Sequence, residues 1–315
     1  MGGRIAVIGS NMVDLVTYSD RMPARGETIE APEFAMGFGG KGSNQAVAAA
    51  RLGAEVMMVT KVGDDMFGPI TRQNYLDNGI DARYVDRVPG VSSGVAPVFV
   101  DPSGENCIFI IKGANAHLTP ADVDRAAEAL KQCRLILLQL EVPLETVYHA
   151  IAFGAEHGID TLLNPAPAVR GLDVGRCSQA AFLVPNETEL ATLSGMPTET
   201  DGQVLAAARS IIAKGTRTVI VTMGRKGAML VTRDRHEGIP GFDRIKAVDT
   251  TGAGDAFIGS FAHFYVLTGD VVSSLRNAAL YAADAVTKLG TQKSFATAAE
   301  FSAFCRQHGN ASGRR

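Results

Sequence analysis

Short apolar runs alternate with longer stretches of helical periodicity along most of the 315-residue chain. This is the pattern left by βαβ units whose strands are buried on both faces of a parallel sheet. The runs that predict strands are RIAVIGS (4–10), EVMMVTKVG (55–63), RLILLQL (134–140), IDTLLN (159–164), AAFLVPN (180–186), RTVIVTM (217–223) and GAMLVTR (227–233). Helices fit between several of them. In LTPADVDRAAEALKQ (118–132), Thr119 offers an N-cap, Pro120 suits the first helical position, and Asp122 complements the positive end of the dipole. The fold class is therefore α/β, with a mainly parallel central sheet flanked by helices.

Two regions break the alternation. MVDLVTY (12–18) with EFAMGFGG (33–40), and later GVAPVFVDPSGENCIFIIKG (94–113), have strand character with hardly any helix nearby, and the second reads as a hairpin around DPSGE. They predict a small β-sheet lid, contributed by about 12–40 and 94–113, on a single α/β domain spanning 1–308, with 309–315 a disordered tail. Pro97 cannot donate to a ladder and is expected on an edge strand. The apolar face of such a lid either closes over a ligand or packs against a second subunit.

Composition narrows the function. A chain with 46% hydrophobic and 20% charged residues is expected to be a soluble globular protein, and a net charge of −3 argues against a nucleic-acid surface. No apolar run reaches the roughly 20 residues that span a bilayer, and MGGRIAVIG leads into a strand pattern rather than a signal peptide, so no membrane partner is expected. Cys107, Cys133, Cys177 and Cys305 form no CxxC pair or His-Cys cluster, which suggests neither a disulfide framework nor a zinc site and fits a reducing cytoplasm.

The chemistry concentrates in two segments. In DTTGAGD (249–255), Gly252 and Gly254, with only Ala253 between them, let successive backbone N–H groups converge at the start of a helix, a nest suited to phosphate. Asp255 then stands in the first helical turn beside a presumed anion, an awkward place unless it accepts a proton from an attacking hydroxyl. Taken alone, the same residues also serve as a tight turn and a dipole partner. In GFGGKGSNQAVAAARLG (37–53), Gly39, Gly40 and Gly42 allow close backbone approach, Lys41 brings a cation, and Asn44 offers donors and an acceptor to hydroxyls. The GxxxxGK[ST] spacing of a P-loop and a GxGxxG dinucleotide fingerprint are both absent. Polyol recognition suits the segment, and so does a Gly-rich turn packed on the sheet.

Together, GGKGSNQAVAAARLGAEVMMVTKVG and DTTGAGDAFIGSFA resemble the two signature patterns of the ribokinase family of carbohydrate kinases, also called the phosphofructokinase-B family. NPAPA, NETE and VTMGRKGA fall in the family's order, and GETI, KGAN and QLE add agreement with its ribokinase branch. The likeness spans essentially the whole chain. Ser260 is one departure, where the pattern has Gly or Ala.

The resemblance implies a ribokinase-like fold and ATP-dependent phosphorylation of a small-molecule sugar, with Mg²⁺ required and K⁺ as a monovalent activator. It implies Asp255 as catalytic base and the N–H groups of Gly252, Ala253 and Gly254 as an anion hole. Asp14, Gly40, Lys41, Asn44 and Glu141 match sugar-binding positions. Asn186 and Glu189 match a motif associated with phosphate and magnesium, and Thr222, Gly224 and Gly227 match the ATP loop. Asp249, Thr251, Ala285, Lys288, Gly290 and Ser294 fall where the monovalent cation binds, several through carbonyls, and a homodimer through the lid is implied.

Met12 bears on which sugar is taken. Many ribokinases have Asn two residues before the sugar-binding Asp, whereas here Asn11 lies one position earlier. A thioether facing the sugar removes a hydrogen-bond partner and weakens discrimination against a pentose without its 2-hydroxyl. GSNMVDLVTYSDRMP and QLEVPLETVYHAI look like the branch of the family that takes 2-deoxyribose. Alternatively, Met12 packs in the lid hinge and the substrate is ribose. Outside this reading stand another sugar or nucleoside kinase of the family, a non-catalytic sugar sensor, which has no chemical need for Asp255 and its GAG turn, and a nicotinamide-dependent oxidase, which lacks its fingerprint.

Overall fold

The computed structural model describes residues 3–102, 106–242 and 245–308, and the expected tail at 309–315 lies outside them. In chain order the strands are β1 (Arg4–Ile8), β2 (Met12–Tyr18), β3 (Glu33–Gly39), β4 (Val56–Gly63), β5 (Asp81–Val88), β6 (Val95–Val100), β7 (Asn106–Ile108), β8 (Cys133–Leu138), β9 (Asp160–Leu163), β10 (Phe182–Leu183), β11 (Thr218–Thr222), β12 (Gly227–Thr232) and β13 (His236–Pro240). The helices are α1 (Lys41–Arg51), α2 (Phe67–Asp77), α3 (Pro120–Arg125), α4 (Ala127–Leu130), α5 (Leu144–His157), α6 (Val174–Cys177), α7 (Glu187–Ser194), α8 (Asp201–Ala213), α9 (Ala253–Thr268), α10 (Val271–Ala285) and α11 (Ala298–His308). Among the described residues, the large sheet runs β13-β12-β11-β10-β9-β8-β1-β4-β5 and a separate sheet runs β3-β2-β6-β7.

All seven apolar runs form strands, and pairing is parallel from β5 across to β11, with β12 and β13 antiparallel at one edge. Alternation along β1 explains why its run is continuously apolar. Ile5 and Val7 enter a core shared with α1, α9 and α10, while Ala6 and Ile8 enter one shared with α5 and α8 on the other face. The strands missing from the pattern, β5 and β13, are the two sheet edges. They are only half covered, so β5 mixes charged with apolar residues and β13 buries Ile239 alone. The predicted start at Thr119 is a capping box, in which Asp122 accepts from the Thr119 N–H at 2.9 Å.

The small sheet forms from the two predicted stretches, but Pro97 is not at its edge. It lies on β6, between β2 and β7, opposite Leu15. Its carbonyl still accepts from Phe109 N–H (3.0 Å), yet it has no N–H to return. The β7 ladder accordingly stops at Ile108 and resumes only as an isolated bridge between Val95 and Ile111. The interior position is tolerated because the missing donor faces the short outer strand.

Helix α9 buries Phe257, Ile258, Phe261, Ala262 and Val266, each large apolar side chain contributing about 1.5–3 kcal/mol. It lies very close to α1. A Cβ at Gly259 would stand 2.5 Å from the Gln45 carbonyl oxygen and 2.7 Å from Ala48 Cβ. Ser260, the departure from the family pattern, is fully buried and harmless, because its hydroxyl donates to the Ala256 carbonyl at 2.7 Å within its own helix. Gly259→Ala is expected to force the two helices apart, lowering unfolding free energy by about 1–3 kcal/mol in urea titration; an unchanged midpoint would show that the contact relaxes freely.

Candidate active site

The order of the large sheet reverses about β1, which has β4 on one side and β8 on the other. Ligands in open α/β sheets bind beyond the carboxyl ends of strands near such a switch point. The chain places its polar residues there. Ser10 follows β1, Gln139 and Glu141 follow β8, Asn164 follows β9, Asn186 follows β10, and Thr222 ends β11. A cleft of about 210 Å³ opens at these ends, and its lining includes Lys41, Asn186, Glu189 and Thr222 together with Gly252, Ala253, Gly254 and Asp255.

Asp255 stands in the first turn of α9 and is 7% exposed. Gly252, with φ at 76°, turns the chain into the helix through the left-handed region. Both carboxylate oxygens are held by carboxamides from the first turn of α1. Asn44 Nδ2 donates to Oδ2 at 2.9 Å and Gln45 Nε2 donates to Oδ1 at 3.0 Å. Gln45 is fixed in turn by Gln139, whose Nε2 donates to its Oε1 at 2.6 Å, and it makes a longer bond to Asn164 Oδ1 at 3.3 Å. A carboxylate so anchored keeps lone pairs on both oxygens for one further donor. The Ala253 N–H bonds across the turn to the Thr250 carbonyl at 3.2 Å.

Beside it lies an acidic group facing the small sheet. Glu141 accepts from the Lys41 N–H at 2.9 Å and from the Ser10 hydroxyl. Asp14 sits on β2 opposite Gly37, and a Cβ on Gly39 would meet its carboxylate at 2.4 Å, so glycine there makes room for the acid. Burial, then the charges of Glu141 and Asp255, push the Asp14 carboxyl up to about 7. Lys41 is raised, chiefly by Asp255, although burial opposes it. Lys41 also lines the cleft with Asn186, Glu189 and Thr222, so it joins the two groups. Gly40 caps α1 at φ 84°, where a Cβ would strike the Asn11 backbone at 2.7 Å. Met12 is 2% exposed, shares a face of β2 with Asp14 two residues on, and belongs to neither of the two hydrophobic cores.

Asn186 and Glu189 form a capping box at the start of α7. Glu189 Oε2 accepts from Asn186 N–H at 2.9 Å, and Asn186 Oδ1 accepts from Glu189 N–H at 2.8 Å. The helix-start role and the cleft-lining role therefore coexist. Burial raises Glu189, opposed by the Asn186 N–H and by Lys41. Asn186 bridges to Thr222, which brings the loop containing Gly224 and Gly227 alongside. Gly227 is needed for packing, since a Cβ there would meet the Ile239 carbonyl at 2.0 Å.

The cation-site positions come from two segments, and the structure joins them. Asp249 accepts from Thr251 N–H at 2.8 Å and from Gly290 N–H at 2.9 Å. Burial opposes ionisation, but these bonds outweigh it and hold Asp249 below its ordinary value. The Ala285 carbonyl accepts from Lys288 N–H at 3.1 Å, the Lys288 ammonium pairs with Asp284 at 2.8 Å, and the Ser294 hydroxyl donates to Thr291 at 2.7 Å. A carboxylate held below its ordinary value beside this loop fits a monovalent cation, with Lys288, its ammonium paired to Asp284, restricted to its carbonyl.

Sequence reasoning did not single out Gln45, Gln139, Asn164 or Gln292. A signal was present for two of them: Gln45 stands beside Asn44 just before AVAAA, and Gln139 is a lone carboxamide within RLILLQL.

A carboxylate anchored beside a helix-start nest, facing a group of hydroxyl acceptors, defines a phosphotransferase site with an alcohol acceptor. The pfkB family carbohydrate kinase pattern matches residues 3–298, and the chain belongs to that family. It is 58% identical to the deoxyribokinase of Salmonella typhi over 95% of this chain and 98% of the relative. It is 35% identical to the ribokinase of Mus musculus, over 92% and 91% respectively. The structure of Arabidopsis thaliana ribokinase complexed with ribose and ATP superimposes with a TM-score of 0.91 at 30% identity, covering 96% of this chain and 99% of that one.

The raised Asp14 predicts a pH signature. Between about 4 and 7 the folded protein holds a proton that the unfolded chain, at the ordinary value of 3.8, has released, so stability falls as pH rises through that window. Asp14→Asn removes this loss. The melting temperature of the variant should gain on wild type from pH 4 to pH 7, and a constant difference would show that Asp14 titrates normally.

Proposed function

We propose that the protein transfers the γ-phosphoryl group of ATP to the 5-hydroxyl of 2-deoxyribose, with ribose as a second substrate. The observation that carries this is the Asp255 carboxylate, held through both oxygens by Asn44 and Gln45 at the mouth of the Gly252–Gly254 turn. Asp255 takes the proton of the 5-hydroxyl as it attacks. The N–H groups of Gly252, Ala253 and Gly254, with that of Ala253 leaving its long bond to Thr250, receive the charge on the phosphoryl oxygens, and Lys41 balances it. Asp14, Glu141 and Asn44 accept from or donate to the sugar hydroxyls, with Gly40 giving backbone access.

Thr222, Gly224 and Gly227 border the nucleotide. Asn186 and Glu189 would hold Mg²⁺ through water; the ion would supply charge neutralisation between the phosphates. Asp249 with the carbonyls of Thr251, Ala285, Lys288 and Gly290, and with Ser294, would hold K⁺ against the loop that leads into the anion turn. The 2-deoxy preference rests on Met12, which shares the Asp14 face and offers no hydrogen bond where an amide would reward the 2-hydroxyl, and on the 58% identity to a deoxyribokinase.

The outer face of the small sheet carries exposed Phe34, Met36 and Phe109, an apolar surface suited to a second copy of the chain. A homodimer through the lid, working in the cytoplasm, completes the reading. Among the described residues no helix is long and apolar enough to cross a membrane.

ADP release measured with Mg·ATP should exceed background with 2-deoxyribose and rise when KCl replaces NaCl. Asp255→Asn should lower turnover by roughly 10²–10⁴-fold with sugar affinity largely kept, and Met12→Asn should shift preference toward ribose. Full activity in the first variant sinks the base assignment, and an unshifted preference in the second assigns Met12 to packing. Analytical ultracentrifugation should find twice the 33.1 kDa chain mass, falling to one chain in Phe34→Glu; a monomeric wild type removes the dimer.

A further inference from the structure

The side chains that hold Asp255 are themselves held, and all in one direction. Arg51 Nε donates to Asn78 Oδ1 at 3.0 Å, and Asn78 Nδ2 donates to Asn74 Oδ1 at 3.3 Å. Asn74 Nδ2 donates to Gln292 Oε1 at 3.0 Å, and Gln292 Nε2 donates to Asn44 Oδ1 at 3.1 Å. Asn44 Nδ2 then donates to Asp255 Oδ2 at 2.9 Å. The chain begins at a guanidinium, which can only donate, and ends at a carboxylate, which can only accept.

Between those ends stand four carboxamides, whose oxygen and nitrogen faces are nearly equal in shape, so that partners alone decide which way each points. Gln292 is well placed to set Asn44. It is buried, its second N–H goes to Ser43 Oγ at 2.9 Å, and its main-chain carbonyl is gripped by Arg51 at 2.6 Å. If Gln292 turned over, its oxygen would face Asn44. Asn44 would turn in answer and present its own oxygen to the Asp255 carboxylate, which loses a donor and gains a repulsive neighbour.

We propose that Gln292 and Asn74 are positioning residues for phosphoryl transfer, orienting Asn44 so that its NH₂ meets Asp255 and keeps one N–H free for the sugar. This rests on the reading of Asp255 as the base. Asn74 itself touches neither Asp255 nor the cleft lining and acts only through Gln292 and Asn44.

The test uses two substitutions at half-buried Asn74. Asn74→Ala deletes the side-chain hydrogen bonds to Gln292 and Asn78 and leaves Gln292 oriented by Ser43 and Asn44. Asn74→Asp keeps the shape but can only accept, so it demands the NH₂ of Gln292 and reverses every carboxamide down to Asn44. The directional chain predicts that Asn74→Asp lowers kcat on the order of tenfold, with the KM for ATP within about twofold, while Asn74→Ala lowers kcat less than about threefold. Melting temperatures are measured for both. An Asn74→Ala loss equal to that of Asn74→Asp, no loss in either, or a fall in kcat matched by a rise in the KM for ATP would overturn the proposal. Asp255→Asn assayed alongside separates the two levels. If it is inactive while the Asn74 variants behave alike, only the positioning chain fails; if it is active, the base and the chain fall together.

Discussion

The close packing of α1 on α9 is the constraint on which the site depends. Only the missing side chain at Gly259 lets the helices meet at this distance, and the contact places Asn44 and Gln45, consecutive in sequence, on the two oxygens of one carboxylate. Adjacent residues on a helix point about 100° apart, so the two side chains approach the carboxylate from different directions and take one oxygen each. Loosening that interface by a fraction of an ångström would lengthen both bonds at once. The apolar residues beneath, Phe257, Phe261 and Val266 among them, thus hold geometry as well as stability.

The electrostatics of the cleft follow from the same arrangement. Asp14, Glu141 and Asp255 gather within one another's electrostatic reach, and Glu189 and Lys41 act on the same group. Such a group is costly to bury, and the same burial and neighbouring charges push the Asp14 carboxyl up to about 7, favouring its uncharged form and lowering that cost. Hydroxyl groups from a sugar offer these acceptors further donors, so binding adds hydrogen bonds to a set of like charges. The polyol preference is therefore a property of the charge arrangement as well as of individual contacts.

Much of the fold was legible because parallel strands buried on both faces leave continuous apolar runs, as in RIAVI and CRLILL. The edges escaped: DARYVDRV and HEGIP carry the mixed composition that solvent on one side permits. Pro97 was read onto an edge because propensity cannot show which neighbour a strand's N–H will face. Within the site, the signature turns could be read because their chemistry is local, a glycine nest with its adjoining acid. The partners of the carboxamides could not. Gln292 meets Asn44 across 248 positions and Gln45 meets Asp255 across 210, and an amide announces its partner only in three dimensions.

These separations also bear on the chain's birth. Asn44 and Gln45 leave the ribosome some two hundred residues before Asp255, and Gln292 follows later still, close to the end of the described chain. Until α9 arrives, the face of α1 that carries Ala46, Ala49 and both carboxamides has no cover, and the growing parallel sheet lacks the layer that seals one side. Non-local closure of this kind is slow and leaves apolar surface open in the meantime. Synthesis must therefore have passed α9 and Gln292 before the pocket exists, which makes catalytic competence a late reporter that the two helices have met.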